Sequence, residues 1–206
     1  MVRHILTVAV ISLVLVTGLM AEEKVSDTAD SKSNLSGFSL YTQIGQYIDS
    51  SVNIAKSYRD SGFTCEKLPY NLGLKVFYKV YDGTGFSGFN GNFRIGVQLY
   101  CKEMQLSDKL FISPYAGGSY NNSSTIPNST SIDAGACLNY KGALFNMADL
   151  VAGEDTLFFA DSPQLEYYAG FKITVCSGVD LSLLYSAIWV NSQHMIGYGG
   201  KLSFGL

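Results

Sequence analysis

Outside the first 21 residues the chain holds one histidine, His194, in the run Asn191-Ser192-Gln193-His194. With Ser192 or Ser186 it would supply the base and nucleophile of an acyl-transfer site. Such a site also needs an acid to orient the imidazole, and no Asp or Glu lies near His194 in the sequence. An ordinary loop histidine is the expectation. Cys65, Cys101, Cys137 and Cys176 are scattered and match no zinc-ligand spacing. No Gly-x-Ser-x-Gly, zinc-protease helix or Gly-rich phosphate loop ahead of a helix occurs. No catalytic residue, metal or cofactor is therefore expected, and the chemistry to be explained is that of charges placed along strands.

The elements that must place those charges begin after a leader. Arg3 and His4 precede an apolar stretch from Ile5 to Met20, and Ala21 is followed by Glu22 and Glu23. This pattern predicts a signal peptide over 1–21, cleaved after Ala21. The stretch is interrupted by Thr7, Ser12 and Thr17 and is short for a spanning helix. No cysteine near Ala21 offers a site for lipid attachment. Removing Arg3 leaves 13 basic against 17 acidic residues. With no basic run to neutralise phosphates, nucleic acid is excluded as a partner. Residues 22–35, rich in Glu, Lys, Ser, Asp and Thr, read as a disordered periplasmic arm. Four Asn-x-Ser/Thr matches fall in Ser/Asn-rich turns, where such triplets are common by chance.

From residue 36 to 206 the sequence alternates. The last eleven residues place Ile196, Tyr198, Leu202, Phe204 and Leu206 on one parity and Gly, Lys or Ser between. Eight alternating segments are found, at 36–48, 70–81, 91–103, 109–120, 129–141, 163–175, 178–190 and 195–206. Each is long enough to cross a bilayer as a tilted strand, which takes about 9 to 11 residues. Residues 50–60 offer an extra strand or a short helix, so ten strands is the alternative to eight. Pro114 interrupts the fourth segment and predicts a bulge or a misplaced boundary.

One face of these segments is apolar. The other carries Lys75, Lys79, Arg94, Lys102, Asp133, Lys141, Glu166, Lys172, Asp180 and Lys201 together with most of the glycines. Ten charges in a dry soluble core would be prohibitive, whereas a hydrated or cross-paired lumen tolerates them. The expected fold is a transmembrane up-and-down antiparallel β-barrel with its apolar face in outer-membrane lipid. A soluble lipocalin-like barrel would invert the faces. Aromatic girdles are expected, with Tyr140, Tyr167, Trp189 and Tyr198 at one rim and Phe38, Phe93, Tyr120 and Phe204 at the other. With seven basic against three acidic residues, the lumen is expected to be positive.

In this arrangement Cys65 and Cys101 fall near the outer rim on neighbouring strands and form a possible disulfide. Cys137 and Cys176 are about 20 Å apart along the wall and do not pair. The longest outward connections, 49–69 and 142–162, are candidate binding loops. Residues 143–151 have the spacing of a short amphipathic helix packed on the rim.

The leader, the alternating segments and the closing Tyr198, Leu202, Phe204 and Leu206 resemble the small eight-stranded bacterial outer-membrane proteins, the OmpA transmembrane domain, OmpX and OmpW among them. The resemblance is architectural and covers most of the chain after the leader. It implies recognition by the barrel-insertion machinery through the C-terminal strand, although that family usually ends in Phe and this chain ends in Leu206. The apolar-solute transport of the OmpW branch does not suit a charged lumen. The expected function is that of a non-enzymatic surface barrel at the cell outer membrane, acting through its loops in adhesion, host contact or envelope integrity. The alternatives are a narrow, anion-favouring channel, a lipid-modifying enzyme using His194, and a soluble ligand-binding barrel.

Overall fold

The computed structural model describes residues 37–49, 54–81, 93–122, 129–158, 163–190 and 193–206. The expected signal peptide and arm lie outside the described residues. Eleven strands form: β1 (Phe38–Asp49), β2 (Ile54–Cys65), β3 (Leu72–Tyr81), β4 (Phe93–Cys101), β5 (Met104–Gln105), β6 (Leu110–Asn122), β7 (Ser129–Tyr140), β8 (Asp149–Phe158), β9 (Pro163–Cys176), β10 (Val179–Val190) and β11 (Gln193–Gly205). Every pairing is antiparallel. The sheet closes where β4 pairs with β6, so ten strands make a barrel wall with no free edge. β5 is a two-residue ribbon on the start of β6.

The wall therefore has ten strands, not eight. The extra ones are β2 and β8, which run through the segments expected to be the loops 49–69 and 142–162. Residues 143–151 form no helix; they pass through a turn into β8. Both strands lack a clean alternation because each mixes polar and apolar residues on its outward face: Ser57, Arg59, Ser61 and Phe63 on β2, and Leu150, Ala152, Glu154, Thr156 and Phe158 on β8. Missing β2 also reversed the expected direction of every strand from β3 to β7, until β8 restored it.

The connections fall at two ends. At the end carrying the start of β1 and the close of β11, here the terminal end, lie residues 66–71, 102–109, 141–148 and 177–178. At the far end lie 50–53, 82–92, 123–128, 159–162 and 191–192, all outside the described residues. Two terminal-end turns place consecutive residues at positive φ, Tyr70 (60°) with Asn71 (56°) and Phe145 (50°) with Asn146 (61°). Each is closed by a backbone bond, Leu72 N–H to Pro69 O at 3.3 Å and Met147 N–H to Leu144 O at 2.7 Å. These are the turns whose twist matches antiparallel strands.

Pro114 is explained by the same closure. The β4–β6 ladder ends at Tyr100 with Tyr115, and β5 resumes pairing at Ile112. Pro114 thus falls in the gap between β4 and β5, where its missing N–H deprives no ladder of a bond. Glycines of inward parity make room for rings from neighbouring strands, Tyr58 against Gly45, Tyr100 against Gly73 and Tyr168 against Gly153.

The outward face is apolar and exposed, with Ile44, Ile95, Val97, Ile132, Leu138, Ile173 and Leu183 parity-matched around the wall. Aromatic rings gather near the far rim. Tyr78 meets Phe93 at 5.6 Å between centroids, Phe93 meets Tyr120 at 6.2 Å, and Tyr167 meets Trp189 at 5.4 Å. Tyr198 lies in the far half, its hydroxyl donating to Gln46 Oε1 at 3.0 Å. Phe38, Tyr140 and Phe204 sit at the terminal end. Relative to the expected girdles, Phe93 and Tyr120 exchange ends with Tyr140, because β4, β6 and β7 run opposite to the expected direction.

Candidate functional site

The charged interior has two layers. In the far half, Lys79 of β3 reaches Glu166 of β9 with its Nζ 2.7 Å from Oε1 and 3.0 Å from Oε2. Tyr47 of β1 donates to the same Oε1 at 2.8 Å. Round a ten-stranded wall β3 and β9 are five strands apart in either direction, so this ion pair crosses the full diameter. Beside it, Arg94 of β4 donates from Nη2 to Asp133 Oδ2 at 2.7 Å, reaches Asp155 Oδ2 at 3.3 Å, and donates from Nε to Ser119 Oγ at 2.9 Å. Ser131 donates to Asp133 Oδ1 at 2.8 Å. The side chains of Arg94 and Asp133 are 4% and 0% exposed. Tyr47, Tyr58, Ile188 and Met195 form one buried cluster next to these charges, with the Tyr47 and Tyr58 rings stacked at 4.5 Å. Charges buried this deeply need partners, and each cation here meets a carboxylate.

The terminal half is open. A cavity of about 340 Å³ runs from this seal towards the terminal end, lined by Tyr41, Lys75, Tyr100, Tyr115, Tyr168 and Lys201 among others. Lys75 and Lys201 face one ring, with their Nζ atoms 5.4 Å and 4.6 Å from the Tyr41 centroid. Tyr41 donates to Asp60 Oδ1 at 3.0 Å. Lys172 pairs with Asp149 at 3.4 Å. At the cavity mouth Glu103 accepts from Lys141 at 2.8 Å and from Asn139 at 2.7 Å. Burial works against the Glu103 charge, but these two donors outweigh it and hold its carboxyl below the ordinary value.

The ten charges expected in the lumen separate by depth. Lys79, Arg94, Asp133 and Glu166 make the seal. Lys75, Lys172 and Lys201 line the cavity. Asp180 accepts from Thr174 at 2.7 Å on the exposed terminal rim. Lys102 and Lys141 lie in terminal-end connections, not in the wall. The expectation of a positive lumen fails. β2 and β8 add inward acids, Asp60 on β2 and Asp149 and Asp155 on β8. Wall charges of inward parity among the described side chains are then Lys75, Lys79, Arg94, Lys172 and Lys201 against Asp60, Asp133, Asp149, Asp155, Glu166 and Asp180. Lys141 and Glu166 lie far apart: Lys141 is at the terminal end and Glu166 three residues from the far-end start of β9.

The four thiols are free. Cys65 and Cys101 do not pair, because β3 lies between their strands; Cys65 is opposite Leu74 and Cys101 opposite Leu72. Two strand spacings are about 10 Å, beyond disulfide reach. Both cysteines sit at the terminal end, where β2 and β4 close. His194 stacks on Trp189 at 4.5 Å on the outward face, whereas Ser186 is buried inside, so the wall separates that histidine from that serine. Ser192 lies outside the described residues. Among the described residues no group of three or more His, Cys, Asp or Glu side chains is placed to hold a metal.

The ten-stranded closure invites comparison with solved barrels. The β domain of the Bordetella autotransporter BrkA superposes with a TM-score of 0.51 at 11% identity, over 84% of this chain and 100% of that one. The fold is that of the outer-membrane β-barrels. The KdgM porin in complex with disordered oligogalacturonate matches with a TM-score of 0.44 at 5% identity, over 82% of this chain and 99% of that one. The translocator domain of the autotransporter NalP from Neisseria meningitidis matches with a TM-score of 0.41 at 10% identity, over 99% and 94%. No protein-family model and no curated protein match the sequence. The neighbours include porins and autotransporter barrels, and the likeness extends to architecture alone.

Proposed function

We propose that the protein is an outer-membrane barrel with a closed interior, which acts by presenting its far-end connections at the cell surface and does not pass solutes. The observation that carries this reading is the Lys79–Glu166 pair, which bridges the diameter of the lumen at 2.7 Å. Arg94 with Asp133 and Asp155 fills the space beside it. Crossing this layer would require a solute to break buried ion pairs, an unfavourable step in a low-dielectric interior. The leader over 1–21 supplies export, and the apolar wall with its rim aromatics suits a lipid bilayer. In this orientation the terminal end is periplasmic. The partner surface then moves from 49–69 and 142–162, which contain β2 and β8, to 82–92, the longest far-end connection, where Phe86 and Phe89 stand among glycines. Adhesion, host contact and envelope integrity are the roles such a surface serves.

A second reading is a channel opened by rearranging the seal, and the 340 Å³ cavity beneath it favours this one. With five basic against six acidic inward wall charges among the described side chains, such a channel would have no preference for anions. Conductance across planar bilayers separates the two. The wild-type barrel is expected to insert without current steps, and Lys79→Ala with Glu166→Ala to produce them. Steady wild-type conductance would overturn the closed reading.

A further inference from the structure

The outward face carries two charges in positions that match. Of the described wall residues with outward parity, Arg59 is the one Lys or Arg and Glu154 the one Asp or Glu. Arg59 is exposed and stands opposite Ile44 and Val80, both outward-facing. No ion pair within the chain neutralises either of them among the described residues. Glu154 accepts a hydrogen bond from Thr156 Oγ1 at 3.1 Å. Ionised side chains on the lipid face of a barrel are destabilising, and the more so the deeper they lie.

The positions are complementary in three respects. Arg59 is on β2 and Glu154 on β8, five strands apart in either direction, so they point out of opposite sides of the barrel. Arg59 lies five residues from the far-end start of β2 and Glu154 four residues from the far-end close of β8. At about 3.3 Å per residue their depths differ by roughly one residue. Their settings also fit as knob and hollow. Glu154 stands opposite Ala136 and Tyr167; Ala134, Ala152 and Ala169 lie close by on the same face, and the small side chains on its β7 side let another wall approach. Arg59 projects between Ser57 and Ser61, which do not obstruct it.

We infer that the barrel associates with further copies of itself in the membrane plane, Arg59 of one copy meeting Glu154 of the next. Depth is matched from the same end of both strands, so neighbouring copies share one orientation, as uniformly inserted barrels do. Because the two sites face opposite directions, the contact is head-to-tail and does not close at two copies; it extends as a row. A two-fold dimer through either site would instead bring like charges together. The inference rests on the wall being embedded in lipid, as proposed above.

The test is energy transfer between donor- and acceptor-labelled protein, each labelled at the N-terminus, in zwitterionic phosphatidylcholine vesicles. Heat-shifted electrophoresis first shows that each sample is folded and inserted. Failure there would count against the membrane reading itself, whereas an inserted barrel that does not associate would overturn only the row. The wild type is expected to show transfer above random collision. Arg59→Glu and Glu154→Arg should each abolish it, and the double exchange should restore it. Mixing the two single variants should restore transfer between unlike copies, because every contact in an alternating row then joins opposite charges. Arg59→Gln and Glu154→Gln serve where a reversed charge prevents insertion, and each should lower transfer. Absent wild-type transfer, or transfer untouched by these variants, would overturn the inference. So would association that needs phosphatidylglycerol and survives Glu154→Gln, which would assign Arg59 to lipid phosphate.

Discussion

Replacing Lys79 with Ala removes the cation that Glu166 meets at 2.7 Å and 3.0 Å and leaves a carboxylate in a residue only 8% exposed. Breaking a buried pair from one side costs about 3–5 kcal/mol. The cavity beneath the seal admits some solvation, so the lower end, about 3 kcal/mol, is the expected loss. That is about two powers of ten in the folding equilibrium. Replacing both partners with apolar residues of similar volume, Lys79→Met with Glu166→Leu, leaves no orphaned charge and should return stability to within about 2 kcal/mol of the wild type. The assay is reversible urea unfolding in lipid vesicles, followed by tryptophan emission and by the heat-shifted band, with denaturant slopes checked for constancy. A single variant that costs less than about 1 kcal/mol would refute the claim that the pair is buried and essential to the seal. A double variant weaker than the single would refute it as well.

Gly45→Val should destabilise the barrel by about 1–3 kcal/mol, since a side chain there meets the Tyr58 ring and the Tyr198 carbonyl; the same unfolding assay reads it. Glu103 has a depressed carboxyl pKa in the folded state, so its contribution is fully present above the ordinary carboxylate value and is lost as pH falls through the folded one. The unfolding midpoint should therefore drop on acidification, and Glu103→Gln should flatten that drop; with this side chain 40% exposed, the effect stays under about 1 kcal/mol. Trp189, the single tryptophan, stacks on His194 at the far rim of the outward face. Its emission should be quenched by labels near the lipid headgroup more than by labels at the bilayer centre. His194→Ala should change that emission while leaving the fold intact.

Alternation made eight of the wall strands legible, because segments such as Phe93, Ile95, Val97 and Leu99 separate one apolar face cleanly from Arg94, Gly96 and Gln98. It failed at β2 and β8 for a physical reason. Arg59 and Glu154 put charge on the outward face of those two strands and erased the period-two signal. Residues 50–60 did admit an extra strand, but residues 149–158 were hidden by an apparent helical spacing. The cost reached beyond the strand count. Without β2 and β8, Cys65 and Cys101 fall on neighbouring strands, Tyr140 shares a rim with Trp189, and Asp60, Asp149 and Asp155 drop out of the lumen. Lys79, Arg94, Asp133 and Glu166 lie on strands with clean alternation, and they face the interior. Their partners were not legible, because β3 meets β9 across the diameter and no sequence period reports that distance.

The most direct test of the account is electrophoresis of the chain lacking residues 1–21, refolded into detergent micelles and, in parallel, into plain buffer, with boiled and unboiled samples compared. A lipid-facing apolar wall around a charged, sealed interior predicts folding that depends on micelles and a band that shifts on heating. A β-rich monomer that folds and stays soluble in buffer without detergent would contradict it, since the exposed Ile44, Val97, Ile132 and Leu183 surface could not then face water.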